Sequence, residues 1–208
     1  MTNRFDEKAA TWDDNPRRAA LTKMIAEAVG NNVVLAPDME VLEFGCGTAA
    51  LSVLLADAVG HIDAVDSSVG MIEQVGKKLA ENAELAAKIK PAVLTYPLEE
   101  SLKGKWDLVC SAMVMHHVEN VEEVLGYLAG RVKEGGYIAI ADLYTEDGSF
   151  HGENKVPHNG FEPERLAAII QQAGIAETKI EKVVTFNRPD MGDPEKEYSV
   201  FLLVGRKQ

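Results

Sequence analysis

The chain has 208 residues and a formal net charge of -12, and 46% of its residues are hydrophobic. This length suits one domain, residues 1–208, with a substantial core. Apolar runs stay well short of the roughly 20 residues of a membrane span, and the first residues lack a signal core, so a cytoplasmic protein with no membrane partner is expected. Two cysteines give no disulfide framework. The acidic balance disfavours nucleic acid as a partner.

The first segment, residues 1–30, is predicted to form a helical cover. Asn15 is a favourable helix cap, Pro16 stands at a first helical position, and an apolar stripe runs from Ala20 to Ala28. Such a segment would cover the sheet or the functional site.

The stretch from Val41 to Leu51 predicts a buried strand, a tight turn and a helix. Gly45 and Gly47 tolerate positive φ and let a ligand lie against the backbone, and the first helical N–H groups then face that ligand. A dinucleotide-binding loop has a third glycine in G-x-G-x-x-G, which is missing here. Glu43, two residues before Gly45, is poorly placed beside a pyrophosphate and well placed to accept from a cationic amine.

Asp66 ends the next predicted strand, nineteen residues after Gly47. An acid at this position can bind both hydroxyls of a ribose. An amine and a ribose on one ligand indicate S-adenosylmethionine as the cofactor.

The rest of the chain predicts alternating helices and strands. Ser67 or Ser68 caps a helix that runs to about Glu84, and Gly135-Gly136 forms a turn before a strand at residues 137–142. Further strands are predicted at residues 89–95, 107–111, 179–187 and 198–204. A turn at residues 188–194 joins the last two strands into an antiparallel hairpin.

Four segments resemble, in order, the motifs of class I S-adenosylmethionine-dependent methyltransferases of the small-molecule type. They are Glu43-x-Gly45-x-Gly47, Ala64–Ser68 with Met71, Trp106–Ser111 followed by Met115–Val118, and Val132–Asp142. The resemblance covers roughly residues 39–145, which would be the cofactor-binding core. It implies an α/β fold with a Rossmann-like, mostly parallel seven-stranded sheet in the order 3-2-1-4-5-7-6. Strand 7 would be antiparallel, with helices on both faces.

The resemblance also implies a set of cofactor contacts. Met71 and Ser67 would lie by the adenine and ribose, although Met71 is equally well explained as a core residue. The family usually has an acid near Pro97 that accepts from the adenine amino group, so Glu99 or the backbone of Leu98 would have to substitute. The implied cofactor-binding residues are Trp12, Glu43, Gly45, Cys46, Gly47, Thr48, Asp66, Ser67, Met71, Leu98 and Ser111.

In the family, an aromatic and a basic residue of the cover often approach the methionine part of the cofactor. Trp12, Arg17 and Arg18 are the candidates here by resemblance. The alternative is that Trp12 packs the cover down and that both arginines are solvated. Cys46 is expected to be a small residue beside the ligand rather than a nucleophile, because no base is adjacent.

The acceptor is expected to bind at the loop of residues 146–161. This loop follows a strand on the cofactor's side of the sheet and is long for a connection. His117, His151 and His158 are the candidate general bases, since a histidine titrates near neutral pH. Each of them could instead bond a backbone carbonyl. Of the adjacent pair His116-His117, at most one is expected to face the site, because successive residues of regular structure point in different directions.

No metal is predicted. Seven residues could converge, but their spacing matches no compact ligand motif. Metal-dependent catechol-type methyltransferases usually have an acid after the fourth strand, where this chain has Ser111. The seven residues are His116, His117, Asp142, Glu146, Asp147, His151 and His158.

The leading hypothesis is methyl transfer from S-adenosylmethionine to a small-molecule O, N, S or carbon acceptor. The alternative is a non-catalytic S-adenosylmethionine or nucleotide-binding protein that regulates a partner. An NAD-dependent dehydrogenase is disfavoured by Glu43, Ala49 and the lack of a second nucleotide-binding half. The pattern indicates neither the acceptor's identity nor the oligomeric state.

Overall fold

A computed structural model describes residues 4–188 and 195–208. Seven strands form one sheet in the order β3-β2-β1-β4-β5-β7-β6, which confirms the predicted order. The predicted turn at residues 188–194 lies outside the described residues, except for Arg188. The strands are β1 (Glu40–Phe44), β2 (His61–Asp66), β3 (Ile89–Val93), β4 (Trp106–Ala112), β5 (Val132–Leu143), β6 (Ile175–Asn187) and β7 (Glu197–Lys207).

The first five strands pair in parallel, and β7 is antiparallel to both β5 and β6. A parallel sheet is covered on both faces, so its central strands are apolar throughout. In β1, every residue from Val41 to Phe44 is buried. The acid Glu43 is among them, which makes it an exception that needs a functional or structural reason.

The helices cover both faces of the sheet. One apolar cluster includes Ile25, Leu51 and Val75, and the other includes Leu125 and Leu166. The helices are α1 (Pro16–Asn32), α2 (Ala50–Leu55), α3 (Val69–Ala80), α4 (Ala83–Lys88), α5 (Leu98–Ser101), α6 (Val121–Gly130) and α7 (Pro163–Gln172). None of the helices in the described ranges has the length and hydrophobicity needed to cross a membrane.

The N-terminal segment contains two helices. A short 3-10 helix, Ala9–Asp14, precedes α1. The side chain of Asn15 accepts from the backbone N–H groups of Arg17 and Arg18 and so caps α1.

Two local predictions are corrected by the structure. The helix after Ser68 ends at Ala80 rather than near Glu84, because the side chain of Asn82 caps a second helix, α4. Gly135-Gly136 lies inside β5 rather than in a turn before it. Trp106 and Leu108 of β4 pair with Val132 and Tyr137 of β5. The four residues 133–136 of β5, which include both glycines, therefore lie opposite a single residue of β4, as in a β-bulge.

Candidate active site

A cavity of about 1410 Å³ opens where the parallel strands end. Its wall takes in Gly45 after β1, Asp66 at the end of β2, Leu94 after β3 and Met113 after β4. Open α/β sheets bind their ligands at this edge. The volume exceeds the roughly 300–1,000 Å³ of a pocket for one small ligand, so there is room for two molecules side by side.

The glycine turn forms one wall of the cavity and requires its glycines. Gly45 has φ +73° and Gly47 has φ +53°, a region that other residues rarely adopt. A Cβ on Gly45 would lie 2.5 Å from the side chain of Val114. Ala49, at the entrance to α2, has φ 58°, and positive φ in a residue other than glycine is typical of functional sites.

Glu43 lies at the base of this turn and is 3% exposed. Its Oε2 accepts from the backbone N–H of Ser52, at 2.9 Å, and from the Ser52 hydroxyl. Burial raises the pKa of Glu43 to about 7, although both bonds from Ser52 act to lower that pKa. The carboxyl lines the cavity, so a bound cation would lower its pKa and stabilise the charged form.

Asp66 lies across the turn from Glu43 and is held by the backbone. Its Oδ2 accepts from the N–H of Gly47, and its Oδ1 accepts from the N–H of Ser68, both at 2.8 Å. Burial raises the pKa of Asp66, and these two backbone bonds act in the opposite direction. Two carboxyls from consecutive strands therefore face one cavity beside the glycine turn.

The N-terminal segment is bonded to the glycine turn and to the segment that follows β2. The hydroxyl of Thr48 donates to Asp13 at 2.6 Å, and Asp13 also pairs with Lys78 at 3.2 Å. The backbone N–H of Gly70 donates to Asp6 at 3.0 Å, and the hydroxyl of Ser68 donates to the same oxygen. These contacts could not be predicted from the sequence, because they join residues more than thirty positions apart.

The remaining residues of the predicted cofactor set divide into two groups. Trp12, Cys46, Ser67, Met71 and Leu98 line the cavity, together with the two carboxyls and with Gly45, Gly47 and Thr48. Ser111 is not part of the wall, because its buried hydroxyl donates to the carbonyl of Phe44 at 2.9 Å.

The candidate residues Arg17, Arg18 and Cys46 all lie in the cavity wall. Arg18 stacks on the Trp12 ring, with the guanidinium carbon 3.9 Å from the ring centroid, and Arg17 also borders the cavity.

Burial, followed by the nearby carboxyls Glu43 and Asp66, raises the pKa of the Cys46 thiol. Cys46 is therefore a protonated thiol at neutral pH, which is unsuited to nucleophilic attack.

Two of the three predicted histidines lie in the cavity wall. His117 and His151 both border it, and their rings lie 5.1 Å apart between centroids. Burial, neighbouring histidines and Arg4 lower the pKa of His117 to about 2. Burial, His116 and the arginines Arg4 and Arg188 lower the pKa of His151 to about 4. Both rings are therefore neutral at neutral pH.

His158 lies outside the cavity wall. Its Nε2 lies 3.0 Å from the carbonyl of Val118, so this ring bonds a backbone carbonyl. This is the alternative role that the sequence left open. The ring also packs against Phe161.

The expectation that at most one of His116 and His117 faces the site is wrong. Both border the cavity, because they lie in a 3-10 turn, Met115–His117, rather than on a regular strand. His116 is 1% exposed, and its Nδ1 lies 2.6 Å from the Oδ1 of Asp142. Asp142 ends the apolar part of β5, so an acid in a buried strand was the available sequence signal for this pair.

A seven-stranded sheet in this order, with a large cavity over a glycine turn, defines a Rossmann-like α/β methyltransferase fold. A family profile described as a methyltransferase domain matches residues 12–198. The chain therefore belongs to the class I S-adenosylmethionine-dependent methyltransferase family.

Individual relatives are more distant. The chain is similar to a malonyl-[acyl-carrier protein] O-methyltransferase of Anoxybacillus flavithermus, with 31% identity over 73% of this chain and 54% of the relative. It is 26% identical to a ubiquinone biosynthesis O-methyltransferase of Bordetella avium, over 83% of this chain and 78% of the relative. An uncharacterized methyltransferase of Schizosaccharomyces pombe is 24% identical over 72% of this chain. The chain spans little more than half the length of the first and third of these relatives, 54% and 58%.

Solved structures agree on the fold. One match is in the complex between the Haloferax volcanii Trm112 methyltransferase activator and a methyltransferase. That chain gives a TM-score of 0.75 at 16% identity and covers 99% of this chain and 98% of its own length. An O-methyltransferase family protein of Burkholderia thailandensis gives a TM-score of 0.68 at 17% identity, over 91% of this chain and 57% of its own.

Proposed function

We propose that this chain transfers the methyl group of S-adenosylmethionine to a small-molecule acceptor. One observation carries the proposal: a single cavity contains both the paired carboxyls Glu43 and Asp66 and, elsewhere in its wall, His116, His117 and His151. A cofactor and an acceptor can therefore occupy one continuous space. Membership of the methyltransferase family supports the same reaction.

The residues around the glycine turn fit this cofactor. Glu43 would accept from its amino group, Asp66 would accept from the ribose hydroxyls, and Met71 and Leu98 offer apolar surface for the adenine. When bound, S-adenosylmethionine supplies a methyl group that its positive sulfur has already activated. The protein's main task is then to hold the acceptor in line with that methyl group.

The histidines would activate the acceptor. His117 and His151 are neutral in the folded chain, so each offers a nitrogen lone pair to a group that must lose a proton. Phe150 and Phe186 also border the cavity, and they offer apolar surface to the body of an acceptor. His158 has no part in this proposal, because its ring bonds the carbonyl of Val118.

An oxygen acceptor is favoured among O, N, S and carbon. The relatives from Anoxybacillus flavithermus and Bordetella avium are both named as O-methyltransferases. A hydroxyl or carboxyl oxygen is also a group that a neutral imidazole can assist by taking or sharing its proton.

The experiment measures release of S-adenosylhomocysteine when the chain is incubated with S-adenosylmethionine and the small-molecule fraction of a cell extract. We expect release that requires the extract fraction and that is strongly reduced in Asp66→Ala when S-adenosylmethionine is below saturation. Cofactor binding without release, in every fraction tested, would contradict methyl transfer and favour the non-catalytic regulatory protein instead.

A further inference from the structure

Three histidine rings meet at one place in the cavity wall. The ring centroids of His116 and His117 are 4.0 Å apart, and that of His151 lies 4.9 and 5.1 Å from them. Each residue offers one ring nitrogen, and these three nitrogens all lie within 4.8 Å of one another. Two of the rings come from the turn after β4 and the third from the loop after β5, so only the fold brings them together.

We propose that His116, His117 and His151 bind one divalent metal ion, with Zn²⁺ as the best match. Imidazole nitrogens are ligands that suit zinc, and three protein ligands with one open position are typical of a catalytic zinc site. The open position would face the cavity. This inference departs from the sequence prediction of no metal. With the ion bound, the ring nitrogens of His117 and His151 hold the metal and do not act as bases on the acceptor. Only the part played by the fourth ligand, the acceptor, rests on the proposed function.

Asp142 prepares His116 for this role. The carboxylate is fully buried and lies 2.6 Å from Nδ1 of the ring. It also accepts from the backbone N–H groups of His116 and Leu143, so its position is fixed. A ring that donates Nδ1–H to a carboxylate leaves Nε2 for a metal, which is the usual second shell of a zinc-bound histidine. Among the described residues, none forms a hydrogen bond with this Nε2.

His151 supplies a nitrogen that lacks a partner. Its Nε2 is buried, and among the described residues it has no hydrogen-bond partner. Such an atom in a folded protein calls for a ligand or a water molecule. His151 ends a short 3-10 helix, Ser149–His151, in the loop after β5.

The rings need a small adjustment to hold the ion. Three nitrogens at about 2.1 Å from one tetrahedral zinc stand about 3.4 Å apart. The present limit of 4.8 Å means that the widest pair closes by at most about 1.4 Å, which a ring rotation of His151 on its loop can supply.

Arg4 competes with the ion for His117. One guanidinium nitrogen lies 3.0 Å from Nδ1 of that ring, and the positive charge of Arg4 opposes a cation nearby. The other charged groups that act on these rings are Lys8 and Arg188, which oppose a cation, and Asp142, which favours it. Binding of the ion through this Nδ1 requires Arg4 to leave His117. The bond of Arg4 to the carbonyl of Lys155, at 3.4 Å, is long.

The test is calorimetric titration of the full chain, freed of metal with a chelator, with Zn²⁺ alone. We expect one ion per chain, and we expect Co²⁺ to give the visible absorption of a tetrahedral site. His151→Ala should weaken zinc binding by about 10²-fold or more, whereas the matched control His158→Ala should leave it unchanged. Asp142→Asn should weaken zinc binding by about 10–100-fold. Arg4→Gln should tighten it, because a competing donor and its charge are removed.

The proposal is overturned if zinc does not bind at micromolar concentration, or if His151→Ala binds it as tightly as wild type does. Weaker binding in Arg4→Gln would also contradict it. Far-ultraviolet circular dichroism of each variant checks that the chain is folded. Because no cofactor is present in this titration, a failure here is distinct from a failure to bind S-adenosylmethionine, which is measured separately.

Discussion

Replacing Glu43 with Gln should change how the stability of the chain depends on pH. The side chain is 3% exposed, and burial raises its pKa from 4.5 to about 7. Between these two values the folded state holds more protons at this site than the unfolded state does. The free energy of unfolding of the wild type therefore falls as pH rises through this window.

The magnitude follows from those two pKa values. Between pH 5 and pH 8, a carboxyl with a pKa of about 7 when folded and 4.5 when unfolded lowers the free energy of unfolding by about 2.5 kcal/mol. Glutamine keeps an oxygen for the two donors of Ser52 but carries no charge. Any fixed cost of burying its amide group is the same at every pH and cancels from the comparison.

The assay is urea denaturation of both proteins, without cofactor, at several pH values from 5 to 8. Stability of Glu43→Gln relative to wild type should rise by about 2.5 kcal/mol across this range. Glu99→Gln, at an exposed carboxyl that borders the same cavity, is the matched control and should show no such trend. Parallel curves for Glu43→Gln and wild type would refute the account of this buried carboxyl.

Three other changes test different parts of the site. Asp66→Ala should weaken S-adenosylmethionine binding by about 1.5–3 kcal/mol in calorimetry, because charge-assisted hydrogen bonds are lost; an unchanged dissociation constant would count against the assignment. His151→Ala should lower turnover by about 10²-fold or more with cofactor affinity intact, whereas His158→Ala should be close to wild type. Equal turnover in both variants would remove His151 from the reaction. Asp13→Ala removes the bonds to Thr48 and Lys78 and should speed limited proteolysis within residues 4–14. An unchanged rate would show that these bonds do not keep the N-terminal segment in place.

The sheet could be predicted because its signals are local. Apolar strands alternate with amphipathic helices, and Glu43, the glycine turn and Asp66 follow one another in the order of a known family. The correction at Gly135-Gly136 has a different origin. A glycine pair predicts a turn, but here pairing with Trp106 and Leu108 on β4 keeps the segment in the strand.

The orientation and partners of His116 and His117, at the proposed acceptor side of the cavity, could not be predicted to the same degree. The rule of alternate directions applies to regular strands, and it failed for His116 and His117 because both lie in a 3-10 turn. The partners of these rings, Asp142 and Arg4, lie 26 and 113 positions away in the chain. A single sequence does not show which residues such contacts join, and the acid Asp142 in a buried strand was the one available signal.

The most direct test of the account is calorimetric titration of the wild-type chain with S-adenosylmethionine, S-adenosylhomocysteine and NAD. The central claim is that the glycine turn, with Glu43 and Asp66, binds an adenosyl amino acid. We expect each of the first two compounds to bind one molecule per chain, and we expect no heat of binding from NAD. Binding of NAD, with neither adenosyl compound bound, would contradict the claim.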